Sequence, residues 1–350
     1  MLSQTVALFR HAGMTPDTPA MPDSPATRAR RFDQDHARRL RALAYRMLGS
    51  RAEAEDIVQE AWLRWAEVDE ATVEHQGAFL SRLVTNLCLD RLRSAAHQRE
   101  QYVGVWLPEP MLEDEALFGW APAPEQQAEF AQDVSIAFML ALERLSPLER
   151  AAFLLHDVFD LDYDEIARHL DRSEAACRQL ISRARKNIKA DYARREVAKE
   201  EAERLAGAFM DAVRSRDVAG LAALLAEDAV LMADGGGKVS AVPRPLLGGA
   251  VIARTFIGFA QLPTSADWRL VPATVNGLPG LLVVDDAAGG RLVQTIALAP
   301  GAAPGQVGAV YIQRNPDKLR AIASQTMALS RLEEESSPSQ PQETHQRTSP

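Results

Sequence analysis

Apolar residues recur every three or four positions from about Arg28 to Glu100 and again from Glu125 to about Ala206, and then the rhythm changes. One more helical stretch, roughly 200–226, gives way to short runs such as "AVLMA", "GLLVVDD" and "RLVQTIALA", cut apart by Gly, Pro and Asp. A period near 3.6 sets an apolar face on a helix, whereas short bounded Val/Leu/Ile runs fit strands. The chain therefore reads as multidomain: two small all-α domains, then an α+β domain. Its 350 residues suffice for that division. The expected spans are 28–100 and 133–195 for the helical domains and 200–328 for the α+β domain, with a linker over 101–132. Residues 1–27 and 329–350 carry no periodicity and read as a disordered arm and tail.

Charge is distributed just as unevenly. A formal net charge of −9 argues against nucleic acid if only the sum is considered. Between Glu174 and Arg195, however, seven basic residues stand against Glu174 and Asp191, while Gln101 to Gln132 holds no Lys or Arg and several acids. These two stretches prefer opposite surroundings. No run of about eighteen apolar residues suggests a membrane span. The opening "MLSQTVALFRHAGM" lacks the basic leader and long apolar core of a secretory signal. Cys88 and Cys177 lie far apart in helical patterns without a Cys/His cluster. Buried thiols in a cytoplasmic protein, with no metal and no cofactor, are the expectation.

In "RAEAEDIVQEAWLRW" (51–65), Ala54, Ile57, Val58, Ala61 and Trp65 make a core stripe, and Asp56, Gln59 and Glu60 share another face. The following helix, "GAFLSRLVTNLCLDRLRSAAHQRE", buries Phe79, Leu80, Leu83, Val84 and Leu87 and sets Arg82, Asn86 and Arg93 along a polar stripe. Arg can meet phosphates, and Asn can bond the edge of an unpaired base. The nearby tryptophans read either as core or as stacking platforms.

The second helical region contains a helix-turn-helix. Ser146 and Pro147 start a helix, "DYDEIARHL" is a short amphipathic helix, "DRS" is a turn, and Ser173 caps the next helix. That last helix buries Ala176, Cys177, Leu180, Ile181 and Ala184. It leaves Arg178, Gln179, Ser182 and Arg183 on polar faces, as a recognition helix in a major groove does.

The pattern "RMLGSRAEAEDIVQEAWLRW…AFLSRLVTNLCLDRLRS" resembles the first conserved domain (domain 2) of bacterial sigma factors of the extracytoplasmic-function (ECF) class, within the sigma-70 family. The helix-turn-helix is similar to that family's second domain (domain 4), which reads the minus-thirty-five element. The resemblance implies that Asp56, Gln59, Glu60 and Trp62 dock on the clamp coiled coil of RNA polymerase, whose flap would be a second contact. It assigns capture of a flipped minus-ten base to the loop at about Val68–Gly77 and to Asn86, with Arg82 and Arg93 on the backbone. Arg178, Gln179, Ser182 and Arg183 become groove-facing residues, and Arg172 a backbone contact.

The glycine stretch "LMADGGGKVSA" (231–241) invites a phosphate-loop reading. That reading fails, because Val239 follows the lysine where Ser or Thr is required, and prolines follow where a helix should start. An ordinary glycine turn is the local alternative. "YVGVWLPEP" (102–110), with two prolines and two aromatics, is too restricted for a flexible tether. "WLPEP", "DGGGK" and the later "NPDKL" resemble, in order, the marks of the SigJ-like subgroup, whose members carry a fused SnoaL-like cone of long helix, short helix, strand and loop. The resemblance implies an in-cis regulator built from Trp106, Leu107 and Pro108 in the linker, Asp234, Gly235, Gly236, Gly237 and Lys238 in the loop, and Asn315, Pro316, Asp317, Lys318 and Leu319. It implies promoter DNA and the polymerase core as partners, no membrane, and no separate anti-sigma factor.

Two other classes remain open on sequence alone. A stand-alone helix-turn-helix regulator leaves the "EDIVQEAW" helix without a role. A SnoaL-like enzyme, or a cone holding an unknown small ligand, leaves the first two domains unexplained. Residues 200–326 hold no histidine, and Asp234, Asp267, Asp285 and Asp286 are the remaining acid–base candidates.

Overall fold

The computed structural model of the chain describes residues 24–99, 102–112, 135–191 and 199–323. Most of the expected arm, the acidic run from Glu113 and the tail lie outside them. The first helix, α1 (Pro25–Phe32), begins inside the stretch assigned to the arm. Ser24 accepts from the Thr27 N–H, Pro25 fills the first turn, and Arg28 donates to the carbonyls of Ala66 and Val68. A cap together with a long-range anchor orders residues that have too few apolar side chains to show periodicity.

A π-helical turn (Asp33–Ala37) joins α1 to α2 (Arg38–Leu48), followed by α3 (Arg51–Ala66) and α4 (Gln76–Arg99). Beyond the linker come α5 (Ile136–Glu143), α6 (Pro147–Phe153), α7 (Tyr163–Leu170) and α8 (Glu174–Asp191). Ser146 and Glu149 form a reciprocal capping box at α6, and Asp171 at φ +52 turns the chain from α7 into α8. The two helical units share one continuous apolar core from Phe32 to Ile188. Arg150, 2% exposed, fastens them further. Its Nε donates to the Leu142 carbonyl, and its Nη1 donates to the Met47 carbonyl at 2.8 Å and to Glu143 at 2.7 Å.

The expected helix over 200–226 is two helices, α9 (Lys199–Arg214) and α10 (Val218–Leu224). Arg216 at φ +59 breaks it, and Asp217 restarts it by accepting from the Gly220 N–H. Among the described residues, β1 (Leu225–Asp234), β2 (Leu246–Leu247), β3 (Trp268–Val275), β4 (Leu278–Asp285), β5 (Arg291–Pro300) and β6 (Val307–Gln313) form one sheet in the order β2-β1-β6-β5-β4-β3. Only the β1–β6 pairing is parallel. Helix α11 (Gly249–Ala260) follows β2, and a last helix, α12, covers 316–323.

Strand alternation splits this sheet into two buried faces. Leu231, Ile296, Leu298 and Val310 face the core under α9–α11, where Phe209 meets Phe256 edge-on. Ala297, Tyr311 and Met232 point the other way, onto Leu107 and Val105 of the linker and Ile136 and Leu140 of α5. A largely antiparallel sheet usually leaves one face to water; here the linker, α5 and α12 cover it, and Leu282 of the unbroken apolar run in "GLLVVDD" packs with Leu319 and Ile322 of α12.

Candidate functional sites

The outward face of α3 is built by its own cap. Ser50 accepts from the Glu53 N–H, and the inward stripe Ala54, Ile57, Val58, Ala61 and Trp65 is buried. Asp56 and Gln59 are consequently exposed. Glu60 is half-buried and pairs with Arg64 at 2.5 Å. Trp62 is partly buried against Phe32, ring centroids 5.2 Å apart, so it supports the face more than it forms it. The sequence reading missed Leu63, which is 58% exposed one turn beyond Gln59. An apolar residue out of register with its own core stripe was the available signal.

On α4, Arg82 and Asn86 lie exposed on one face, and Arg93 beside them pairs with Asp90 at 2.9 Å. Trp65 is core, 2% exposed. On α8, Arg178, Gln179, Ser182 and Arg183 are all exposed. Ser173 accepts from the Ala176 N–H, fixing the first turn. Arg172 donates to the neighbouring Asp171 carbonyl. Asp157 binds both Nε and Nη2 of Arg185, locking α8 against the turn after α6.

A third site joins linker, cone and first helical unit. Asp234, at the end of β1, is fully buried. Its carboxylate accepts from the Tyr102 hydroxyl at 2.6 Å, the Leu107 N–H at 3.0 Å, the Gly236 N–H at 2.9 Å, Gln313 Nε2 at 3.2 Å and Lys318 Nζ at 2.8 Å. A buried carboxylate needs this many donors and a counter-ion to remain charged. Lys318 also donates to the Leu107 carbonyl at 2.6 Å and lies over the rings of Tyr102 and Trp106. Asn315 caps α12 by accepting from the Asp317 N–H and donates to the Tyr102 hydroxyl. Pro316 opens α12, Leu319 packs under the sheet, and the Pro108 carbonyl accepts from Gln313.

The glycines of the loop serve close approach. Gly236 is at φ +62, and a Cβ there would lie 2.3 Å from the Asn315 side chain; one on Gly237 would press on Val103 of the linker. Lys238 pairs at the surface with Asp317 of the same domain.

On the other side of the linker, Trp106 covers Gly49, where any Cβ would stand 2.5 Å from the indole. The Glu109 carboxylate accepts from the Ser50 hydroxyl and the N–H groups of Arg51 and Ala52, placing a negative charge at the N-terminus of α3. Burial pushes the Glu109 carboxyl above the usual range in spite of those donors. Tyr45 donates to the Glu109 carbonyl at 2.8 Å and accepts from Asn276 Nδ2 at 2.9 Å. Asn276, at φ +50 in the Asn-Gly turn between β3 and β4, also exchanges two bonds with the Met111 backbone. Tyr45, Tyr102, Glu109, Asn276 and Gln313 were all absent from the sequence-based site.

Two of the other acidic candidates have local partners. Asp286 pairs with Arg269 at the surface, and Asp285 accepts from the Ala288 N–H in a turn. Among the described residues, no group of three or more His, Cys, Asp or Glu side chains could hold a metal, and no helix is long and apolar enough to cross a membrane.

A helical unit with an exposed acidic helix, a helix-turn-helix with a basic second helix, and a mixed α+β cone together define a transcription factor of composite type. The families "Sigma-70 region 2" and "Sigma-70, region 4" match residues 32–98 and 135–188. The chain is 38% identical over 289 residues to the ECF RNA polymerase sigma factor SigJ of Mycobacterium tuberculosis, covering 80% of this chain and 89% of that one. It is 32% identical over 178 residues to the probable ECF sigma factor SigI of the same species, covering 50% and 59% respectively. The crystal structure of M. tuberculosis SigJ superposes with a TM-score of 0.64 at 32% identity, covering 83% of this chain and 98% of that one. The chain belongs to the ECF RNA polymerase sigma factors. Its C-terminal domain is a SnoaL-like cone, it is not an enzyme, and its partners are the RNA polymerase core and promoter DNA.

Proposed function

We propose that the cone regulates this sigma factor in cis by fastening the linker and so holding its two DNA-binding modules together. The observation that carries this reading is Asp234, fully buried, gripping Leu107 of the linker with Lys318 as counter-ion. Positions −35 and −10 of a promoter lie about 25 base pairs apart, roughly 85 Å at about 3.4 Å per pair. Modules that share one core, with Arg150 bonded to Met47 across the seam, stand far too close to reach both elements. The closed form must open on the polymerase.

In this reading Asp56, Gln59, Glu60 and Trp62 meet the clamp coiled coil, and the second module meets the flap. Asn86 holds the extruded minus-ten base, and Arg82 and Arg93 contact its backbone. Arg178, Gln179, Ser182 and Arg183 enter the minus-thirty-five groove, with Arg172 on a phosphate. The tethered cone takes the place of a separate anti-sigma factor, since covalent linkage raises its effective concentration. The site of action is the cytoplasm. The test is to label the two modules for energy transfer and to transcribe a cognate promoter with purified core. Lys318→Met should separate the modules in the free protein and change promoter-specific transcription. Unchanged distance and unchanged transcription would overturn the regulatory reading.

A further inference from the structure

The first turn of α8 carries an acid where a DNA-binding surface is expected to be basic. Glu174 is the first residue of the helix, its side chain about half exposed, and it accepts from Arg178 Nη2 at 2.9 Å. Arg178 in turn lies over the Tyr163 ring at 4.8 Å, so the pair is held from two sides. Both side chains are exposed, as is that of Gln179, near the end of the helix that enters a groove first.

From this geometry we infer that Glu174 is a base-specificity residue, reading the amino group of a cytosine. The inference rests on the groove-facing role proposed above for α8. A carboxylate accepts hydrogen bonds and donates none, so phosphates and the acceptor-rich edges of guanine and thymine repel it. Adenine presents its N6 donor beside the N7 acceptor, whereas cytosine presents the N4 amino group alone. Arg178 has the opposite complement, donors only, and fits guanine O6 and N7. Joined as they are, the two side chains suit the two halves of one C·G pair, or of adjacent pairs. Arg178, already paired and stacked, reaches the groove with its orientation set.

The test selects duplexes from a randomised DNA pool with holoenzyme reconstituted from the full chain and polymerase core. The wild-type profile should show cytosine at one upstream position, and Glu174→Ala should lose that preference alone, by about 5- to 100-fold. Glu174→Gln should move the preference towards adenine, whose N6 and N7 match an amide. An ion pair that only stabilises the helix cannot exchange one base for another. A profile unchanged in both variants, or one weakened equally for all sequences, overturns the inference. Arg178→Ala and Arg183→Ala separate the two levels. If they alter the upstream profile while the Glu174 variants do not, only the role of Glu174 falls. If they too leave it unchanged, the groove-facing reading of α8 falls with it.

Discussion

Tyr45 and Asn276 are hydrogen-bonded at 2.9 Å although 231 positions separate them, one in the first helical unit and the other at a hairpin tip of the cone. The linker passes between, its Glu109 carbonyl taking the Tyr45 proton. One phenol thus ties three parts of the chain. Tyr45→Phe keeps the ring and removes both of these bonds, one at the buried Glu109 carbonyl and one at the Asn276 amide. The expected cost is about 1–3 kcal/mol, read as faster hydrogen exchange at Glu109 and Met111. Unaltered protection there would show that the node does not hold the linker.

Removing the Lys318 ammonium strands a fully buried carboxylate. Lys318→Met should destabilise linker docking by about 3–5 kcal/mol, since an uncompensated buried charge costs more than the pair gains. Adding Asp234→Asn should recover a large part of that loss. The double-mutant cycle, measured by exchange at Leu107, gives the coupling directly. Additive losses would mean that the two residues act independently.

The core stripes were readable because they are local: Ala54, Ile57, Val58, Ala61 and Trp65 repeat on one helical face and are buried. Asp234 and Lys318 stood out only through a resemblance, since an Asp before three glycines otherwise reads as a turn. Tyr45 and Asn276 gave no signal. A tyrosine in an apolar helix reads as core, and Asn-Gly reads as a hairpin turn. Both readings are correct locally, but the bond between them depends on how two surfaces dock. The same holds for Glu109, which a linear reading counts with an acidic linker and which instead caps α3.

Burial first, and then the Asp234 carboxylate that it faces, push the Tyr102 phenol above its ordinary range. A group whose pKa is raised in the docked state contributes stability that is present below its free pKa and lost as pH rises through the docked one. Linker docking should therefore hold at neutral pH and weaken in strongly alkaline solution. Tyr102→Phe should remove the ionisation that drives this loss, flattening the alkaline limb of a denaturation series. An identical limb in the variant would assign the loss to another group.

Gly49 ends α2 at φ +70 and lies under the Trp106 ring. Gly49→Ala imposes two penalties: about 1–2 kcal/mol for the left-handed backbone, and displacement of the indole from a Cβ that would stand 2.5 Å away. In Gly49→Ala/Trp106→Ala only the backbone penalty remains on this side of the linker. The step from Trp106→Ala to the double variant should therefore cost less than Gly49→Ala costs the wild type. Equal costs, measured by thermal unfolding, would place the whole effect in the backbone.

The outward side of α3, proposed above to face the polymerase, can be tested by substitution. Asp56 and Gln59 are exposed and Leu63 extends their face by one turn, so the surface combines polar groups with an apolar end. Such a combination suits an interface in which the apolar side chain is desolvated and the polar ones fix orientation. Leu63→Ser and Asp56→Ala should each weaken binding to core polymerase by about fivefold or more, the range of a residue that contributes over about 1 kcal/mol. Neither side chain supports the core stripe, so the thermal midpoint should stay within about a degree or two of the parent. Binding measured by titration of labelled protein into core separates the cases. If Leu63→Ser binds as the parent does while Asp56→Ala does not, the contact is polar and ends before the last turn of α3.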